Sequence, residues 1–308
     1  VSVADNGKPA SLGTAALQVE DEIHELMAQV NLLMNQEEWA EVDPLLRKFL
    51  SLFPGNLTAL GYLIYALHLT GRREEAYAMF EAIEFTDDVD HTVEFAGIYN
   101  AALRASGANP VPFKRRERFR TLAALLASTA GIAGEVAECG CFTGMSSFML
   151  CSILRNEWPQ FDGTGYHIYD SFQGLSAPMP EDIVPDDLPG AQRLRGMCRP
   201  GNFRASLSAV QANLTPFPNI AFHPGWIPHA FPIEHLRSYR FVHIDVDLYD
   251  PTCDSLEYFY PRMAAGGMIV SDDYSWPGAR LAIEDFCSKR NIRFAVTPTE
   301  QAVLTVPG

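Results

Sequence analysis

Two stretches of the sequence place acidic side chains where apolar runs stop. FVHIDVDLYDP (241–251) alternates Val242, Ile244, Val246 and Leu248 with His243, Asp245 and Asp247, and Asp250 follows. GGMIVSDDY (266–274) ends its apolar run on Asp272 and Asp273. Both apolar runs predict strands. If these strands are neighbours in one sheet, their ends lie about 5 Å apart, and Asp245, Asp272 and Asp273 converge. Crowded carboxylates repel one another; sharing a proton relieves this, and a bound divalent cation relieves it better. Oxygen ligands of this hardness suit Mg²⁺, Ca²⁺ or Mn²⁺ rather than zinc. Capping of a following helix is the competing explanation. It accounts for one of the three residues, but not readily for an adjacent pair plus a third from another strand.

A second set of residues could hold an organic ligand. GEVAECGCFTGMSS (134–147) reads as a strand turning into a helix, with Gly140 and Gly144 at the turn. Glycines there let backbone approach a ligand and aim N–H groups at it. The spacing departs from the dinucleotide pattern G-x-G-x-x-G, because position 142 is Phe, which disfavours a nicotinamide-dependent oxidoreductase. Glu138, just before the first glycine, can pair with an ammonium group. Asp170, closing the next strand (TGYHIYD, 164–170), can accept both hydroxyls of a ribose. A ligand with a ribose and a cationic amino-acid tail matches S-adenosylmethionine better than NAD.

The elements that must position these residues follow from composition and pattern. The chain has 308 residues, 47% of them hydrophobic, enough for one large domain and a smaller one. A formal net charge of −15 argues against a nucleic-acid partner. The one basic stretch, KRRERFR (114–120), reads as a solvated helix start. The six cysteines lack zinc-ligand spacing, and three of them sit in apolar segments, which suggests reduced, packed thiols. No apolar run approaches the ~20 residues of a membrane span. The first residues, VSVADNGKPASLGT, show no basic segment followed by an apolar one. A cytoplasmic protein with no membrane partner is therefore expected.

Residues 1–15 read as a flexible tail and 16–108 as a helical domain. In EDEIHELMAQVNLLMNQ (20–36), Ile23, Leu26, Met27, Val30, Leu33 and Met34 share one helical face. NQEEWA (35–40) aligns with GRREEA (71–76) at an offset of 36 residues, close to the ~34-residue tetratricopeptide period. FPGN (53–56) stands where such repeats turn. The expectation is a tetratricopeptide-like pair of helix hairpins, or else a plain helical bundle. Too short for a full solenoid, it is expected to lean on a neighbour or on a second copy. ASGANPVPF (105–113) has linker composition. From 109 to 308 apolar strands alternate with helices, which predicts a mostly parallel sheet covered on both faces. RFAVTP (293–298) and AVLTV (302–306) lie too close for a crossover and must form an antiparallel hairpin. Residues 174–204, rich in Pro and Gly, are read as a lid. Trp226 either lines a pocket or packs, and His223, His229 and His243 either contact an acceptor or are structural.

VAECGCFTGMSSFM (136–149), YDSFQGL (169–175), PGNFRASLSAVQANL (200–214), the run from His243 to Tyr274 and WPGARLAIEDF (276–286) together resemble the macrocin O-methyltransferase (TylF-type) family. The resemblance covers roughly residues 112 to 306 and does not include the helical region. It implies an α/β fold: a Rossmann-like class I methyltransferase sheet with an antiparallel C-terminal hairpin, preceded here by the small all-α domain. It implies an S-adenosylmethionine- and divalent-metal-dependent enzyme methylating sugar hydroxyls of glycosylated natural products. Matched by position, Asp245, Asp272 and Asp273 would hold Mg²⁺ or another divalent cation. Asp247 would be the general base, acting beside Asp245. Glu138, Cys139, Gly140, Gly144, Ser146, Asp170, Ser171, Trp226 and Asp245 would hold the cofactor. A small-molecule or glycosylated acceptor and a homo-oligomer are expected, with the helical domain available to a protein partner or to self-association. The alternatives are methylation of a non-sugar hydroxyl, such as a catechol or a peptide side chain, and a non-enzymatic adaptor with an inert cofactor fold. Retention of the four aspartates argues against the adaptor.

Overall fold

The computed structural model describes residues 12–83, 93–186, 191–233 and 237–308. The chain falls into two compact units, residues 1–85 with 109–113, and residues 86–108 with 114–308.

The first unit is helical. Helices α1 (Leu12–Asn35), α2 (Trp39–Leu52), α3 (Leu57–Leu69) and α4 (Arg73–Glu81) each pack on the next. Much of the tail expected over 1–15 lies outside the described residues, and its end is already helix from Leu12. The FPGN turn separates α2 from α3, and Asn56 caps α3 by accepting from the Ala59 N–H at 2.9 Å. The unit's core includes Val30, Val42, Leu46, Leu63, Ile64, Leu67 and Phe80, all buried. Phe113 from the linker stacks near Phe80 and lies over Gly61.

The second unit begins earlier than the sequence boundary at 108/109 suggests. Helix α5 (Val93–Ser106) counts with it, packing on α7. It continues through α6 (Lys114–Ser128), β1 (Glu135–Cys139), α7 (Met145–Glu157), β2 (Tyr166–Asp170), α8 (Ala191–Met197), α9 (Leu207–Asn213), β3 (Ala221–Pro224) and β4 (Tyr239–Ile244). Then follow α10 (Tyr249–Phe259), β5 (Met263–Ser271), α11 (Pro277–Arg290), β6 (Ala295–Val296) and β7 (Ala302–Thr305).

Among the described residues the strands form one seven-stranded sheet in the order β3-β2-β1-β4-β5-β7-β6. β1 through β5 run parallel, and β7 lies antiparallel between β5 and β6. Alternate strand residues divide between the two faces. Ala137, Cys139, Val242, Ile244 and Ile269 pack on Leu256 and Phe259 of α10 and on Ile283 and Phe286 of α11. The opposite face carries Glu138 and His243, under α6 and α7. The chain order reverses between β1 and β4, so the crevice at the carboxyl ends of these strands is where an open α/β sheet binds ligands.

Candidate active site at the carboxyl ends of the strands

The acidic residues sit one step beyond their strands and still in the ladder. The Asp245 N–H donates to the Cys139 carbonyl at 2.8 Å, and the Asp272 N–H to the Ile244 carbonyl at 2.9 Å. β4 and β5 are neighbours, as the convergence requires. Gly140 has φ 79°, and a Cβ there would stand 1.9 Å from the Asp245 carbonyl oxygen. The approach of two protein backbones thus requires the glycine, where its motif alone suggests the approach of a ligand. Gly144 (φ 82°) caps α7, and a Cβ on it would meet Val210 and Leu214.

Adjacent residues at a strand end point to opposite faces, and this separates the pair Asp272–Asp273. Asp272 turns towards α6: Arg118 Nη2 lies 2.7 Å from Oδ2, and Gln301 donates to Oδ1 at 2.5 Å. Asp273 turns the other way and accepts the Asp247 N–H at 2.9 Å. Two groups of ligand atoms result, each within 4.8 Å: Asp245, Asp247 and Asp273, and His243, Asp245 and Asp272. Asp245 belongs to both. The expected ligand triad of Asp245, Asp272 and Asp273 is therefore divided between two groups, and Asp247 joins the first.

The electrostatics follow from this crowding. Burial, then the Asp245 charge, pushes Asp247 up to about 8. Burial, then Asp272, raises Asp245 to about 6. Burial, then Asp247, holds Asp273 well above the usual carboxylate range. Asp272 alone goes down, to about 2: burial opposes its charge, but Arg118 and the bonds from His243 and Gln301 outweigh it. Arg118 in turn is raised, with burial opposed by Asp272, Asp245, Asp273 and Asp247.

Glu138 is placed behind the crevice. It is wholly buried, accepting from the Ser147 hydroxyl and from the Tyr166 hydroxyl at 3.0 Å on one oxygen, with His243 Nδ1 3.0 Å from the other. These protein partners stand where an ammonium ligand was expected. His243, 1% exposed, is a structural partner of Glu138 rather than an acceptor contact. His223 stacks on Tyr169 with 4.3 Å between ring centroids, and its Nε2 lies 3.1 Å from His167 Nδ1. Cys139 and Ser146 are buried.

Asp170 and Ser171 line the turn after β2. Asp170 accepts the Cys141 N–H at 2.8 Å on one oxygen and the Phe172 N–H at 2.6 Å on the other. The half-buried carboxylate keeps lone pairs for a ligand. Ser171 Oγ donates to the Gly174 carbonyl at 3.0 Å. Trp226, 39% exposed, lies in the loop after β3.

Sequence reasoning missed two residues. Asp182, buried, ties the long loop down: it accepts the Tyr249 N–H at 2.7 Å and the Met179 N–H at 2.8 Å. The base of the loop is closed by Leu175, which bonds Asn202 and Gly201 at 2.9 Å each. Residues 187–190 of this expected lid lie outside the described set. A cavity of about 400 Å³ opens in the loop among Pro178, Met179, Ile183, Val184 and Cys198. Burial, then the charges of Asp247, Asp182 and Asp273, pushes the Cys198 thiol up to about 12. The second missed residue is Arg118. The solvated helix start expected for KRRERFR is not what forms: Arg116 is 2% exposed and Arg118 points into the acidic site.

A mixed seven-stranded sheet of this order, with strand-end carboxylates over the switch point, defines a class I methyltransferase fold. Residues 105–303 match the Macrocin-O-methyltransferase (TylF) family, and the chain belongs to it. It is 29% identical over 168 residues to 8-demethyl-8-(2,3-dimethoxy-alpha-L-rhamnosyl)-tetracenomycin-C 4'-O-methyltransferase of Streptomyces olivaceus, covering 53% of this chain and 61% of that one. It is likewise 29% identical to mycinamicin III 3''-O-methyltransferase of Micromonospora griseorubida, over 53% of this chain and 63% of that one. The chain thus spans 61–63% of the length of these curated relatives. The solved structure of the O-methyltransferase NovP shares the fold at 23% identity and a TM-score of 0.50, over 63% of this chain and 80% of that one. Among the described residues no helix is long and apolar enough to cross a membrane.

Proposed function

We propose that the chain transfers a methyl group from S-adenosylmethionine to a hydroxyl, that of a sugar on a small glycosylated acceptor, with Mg²⁺ or a similar divalent cation at the strand-end carboxylates. The observation that carries this reading is the convergence of Asp245, Asp247 and Asp273 within 4.8 Å at the switch point of the sheet, within a family of O-methyltransferases. The names of the relatives, both O-methyltransferases and one of them acting on a rhamnosyl-bearing compound, support the acceptor class.

The residues fit such a cation. The donors are hard oxygens lying within 4.8 Å of one another. Asp245, Asp247 and Asp273 would hold the cation. Bound there, it would supply Lewis-acid polarisation of an acceptor hydroxyl. Asp170, with lone pairs left on both oxygens, would orient the cofactor ribose. Asp247 would take the acceptor's proton; its backbone N–H bond to Asp273 fixes its place, and its raised affinity for a proton suits a base at neutral pH. The long loop tied to Tyr249 by Asp182 would cover the reaction and exclude water.

Calorimetric titration with S-adenosylmethionine and S-adenosylhomocysteine, set against NAD, tests the cofactor; binding of NAD alone would sink the reading. For the cation, Asp245→Ala or Asp272→Ala should lower turnover by about a hundredfold or more while S-adenosylhomocysteine still binds. Full activity of the chelator-treated wild type would reject the metal mechanism.

A further inference from the structure

The basic stretch KRRERFR is a feature of the sequence that the proposed function leaves unused. Its Arg118 leaves α6 and enters the acidic site, where Nη2 lies 2.7 Å from Asp272 Oδ2. There it stands against the carboxylates as a permanent positive charge. Asp272 is 4% exposed, and Gln301 occupies its other oxygen. Of the Asp272–Asp273 pair, Asp272 thus has both oxygens engaged, while the facing His243 Nε2 has no partner. Arg118 itself is incompletely satisfied: its Nε is enclosed without an acceptor, whereas a guanidinium settled in one permanent pose has its donors filled. Its side chain is still 30% exposed, so it has a path out.

We propose that Arg118 is a built-in counter-cation of this site: it holds Asp272 while no metal is bound, and competes with the divalent cation for the carboxylates, so that it sets the affinity for that cation. The inference rests on the reading of the carboxylates as a cation site. The physical ground is charge. Carboxylates this close cannot all stay ionised without a positive partner. A tethered guanidinium supplies one, and a dication arriving beside it meets its repulsion. Arg118 acts on the reaction through Asp272 and is a positioning residue.

The test uses Mn²⁺ as the probe, with binding read by calorimetry and by the loss of free Mn²⁺ signal in electron paramagnetic resonance. The proteins are wild type, Arg118→Gln and Arg118→Lys, each checked for a wild-type circular dichroism spectrum. The Gln variant should bind Mn²⁺ at least about tenfold more tightly than wild type. Its metal-free melting temperature should fall and be restored by Mn²⁺, as a purely structural role would not require. The Lys variant keeps the charge and should stay within about threefold of wild type. Equal or weaker Mn²⁺ binding by the Gln variant overturns the role of Arg118 and leaves the cation site standing. Absence of Mn²⁺ binding in all three proteins overturns the cation site, and this inference with it.

Discussion

His243 shows how one side chain can be fixed by its neighbours on both sides. Its Nδ1 faces the wholly buried Glu138 at 3.0 Å and its Nε2 faces Asp272 at 3.7 Å. Those two carboxylates raise it to about 10 despite burial, so it is a cation at neutral pH. Removing one partner of a buried pair leaves the other charge uncompensated. His243→Ala is accordingly expected to destabilise the second unit by about 3 kcal/mol, read as a lower urea midpoint. An unchanged midpoint would mean that Ser147 and Tyr166 suffice to satisfy Glu138.

At the scale of elements, the long loop between β2 and α9 owes its shape to a few anchors. Leu175 bonds Gly201 and Asn202 at its neck. Asp182 bonds its own Met179 and, across the crevice, the Tyr249 N–H at the start of α10. A Cβ on Gly278 would come within 1.8 Å of Asp182 Oδ1, so α11 also presses on this anchor. Asp182→Ala leaves two backbone donors without their acceptor, a loss of about 1–3 kcal/mol each where they stay buried. The expected result is local loosening: faster limited proteolysis within 183–198 and a higher KM for the acceptor, with S-adenosylhomocysteine affinity kept. Wild-type proteolysis would show that the Leu175 neck alone holds the loop.

For the molecule as a whole, the acidic site makes stability depend on pH and on cations. Asp245 and Asp247 bind protons more tightly folded than unfolded, at about 6 and about 8. Between the unfolded carboxylate value near 4 and these values, the folded state carries more protons, so stability falls as pH rises. His243, raised to about 10, acts in the same direction above its unfolded value: its contribution is complete at lower pH and is lost as pH rises through that folded value. Asp272 is the exception, since its contribution is lost only as pH falls through about 2. In chelator, the melting temperature should therefore decline from about pH 5 to about pH 9. Added Mg²⁺ should flatten the decline by replacing protons at the carboxylates. A rising or flat profile in chelator would contradict this picture of the site.

The sequence by itself determined the parts that depend on local pattern. An alternating run closing on Asp245 and a continuous apolar run closing on Asp272–Asp273 marked the strand ends, and the alternation of strands with helices marked a mostly parallel sheet. The short spacing after residue 298 forced an antiparallel pair, observed as β6 and β7. The residues that carry the family resemblance are likewise consecutive in the chain. Only the tertiary structure decided what each carboxylate faces. Asp272 and Asp273 are neighbours in sequence, but a pleated strand end sends them to opposite sides, one to Arg118 and Gln301, the other to Asp247. Glu138 reads as a ligand partner in its motif, yet the register of β1 against β4 sets it opposite His243 and encloses it. Arg118 reads as one of several surface charges, because nothing in a local pattern encodes which turn of α6 lies over the end of β5. The Glu138–His243 and Arg118–Asp272 pairings join residues more than a hundred positions apart, and their energies exist only once the sheet order brings those positions together.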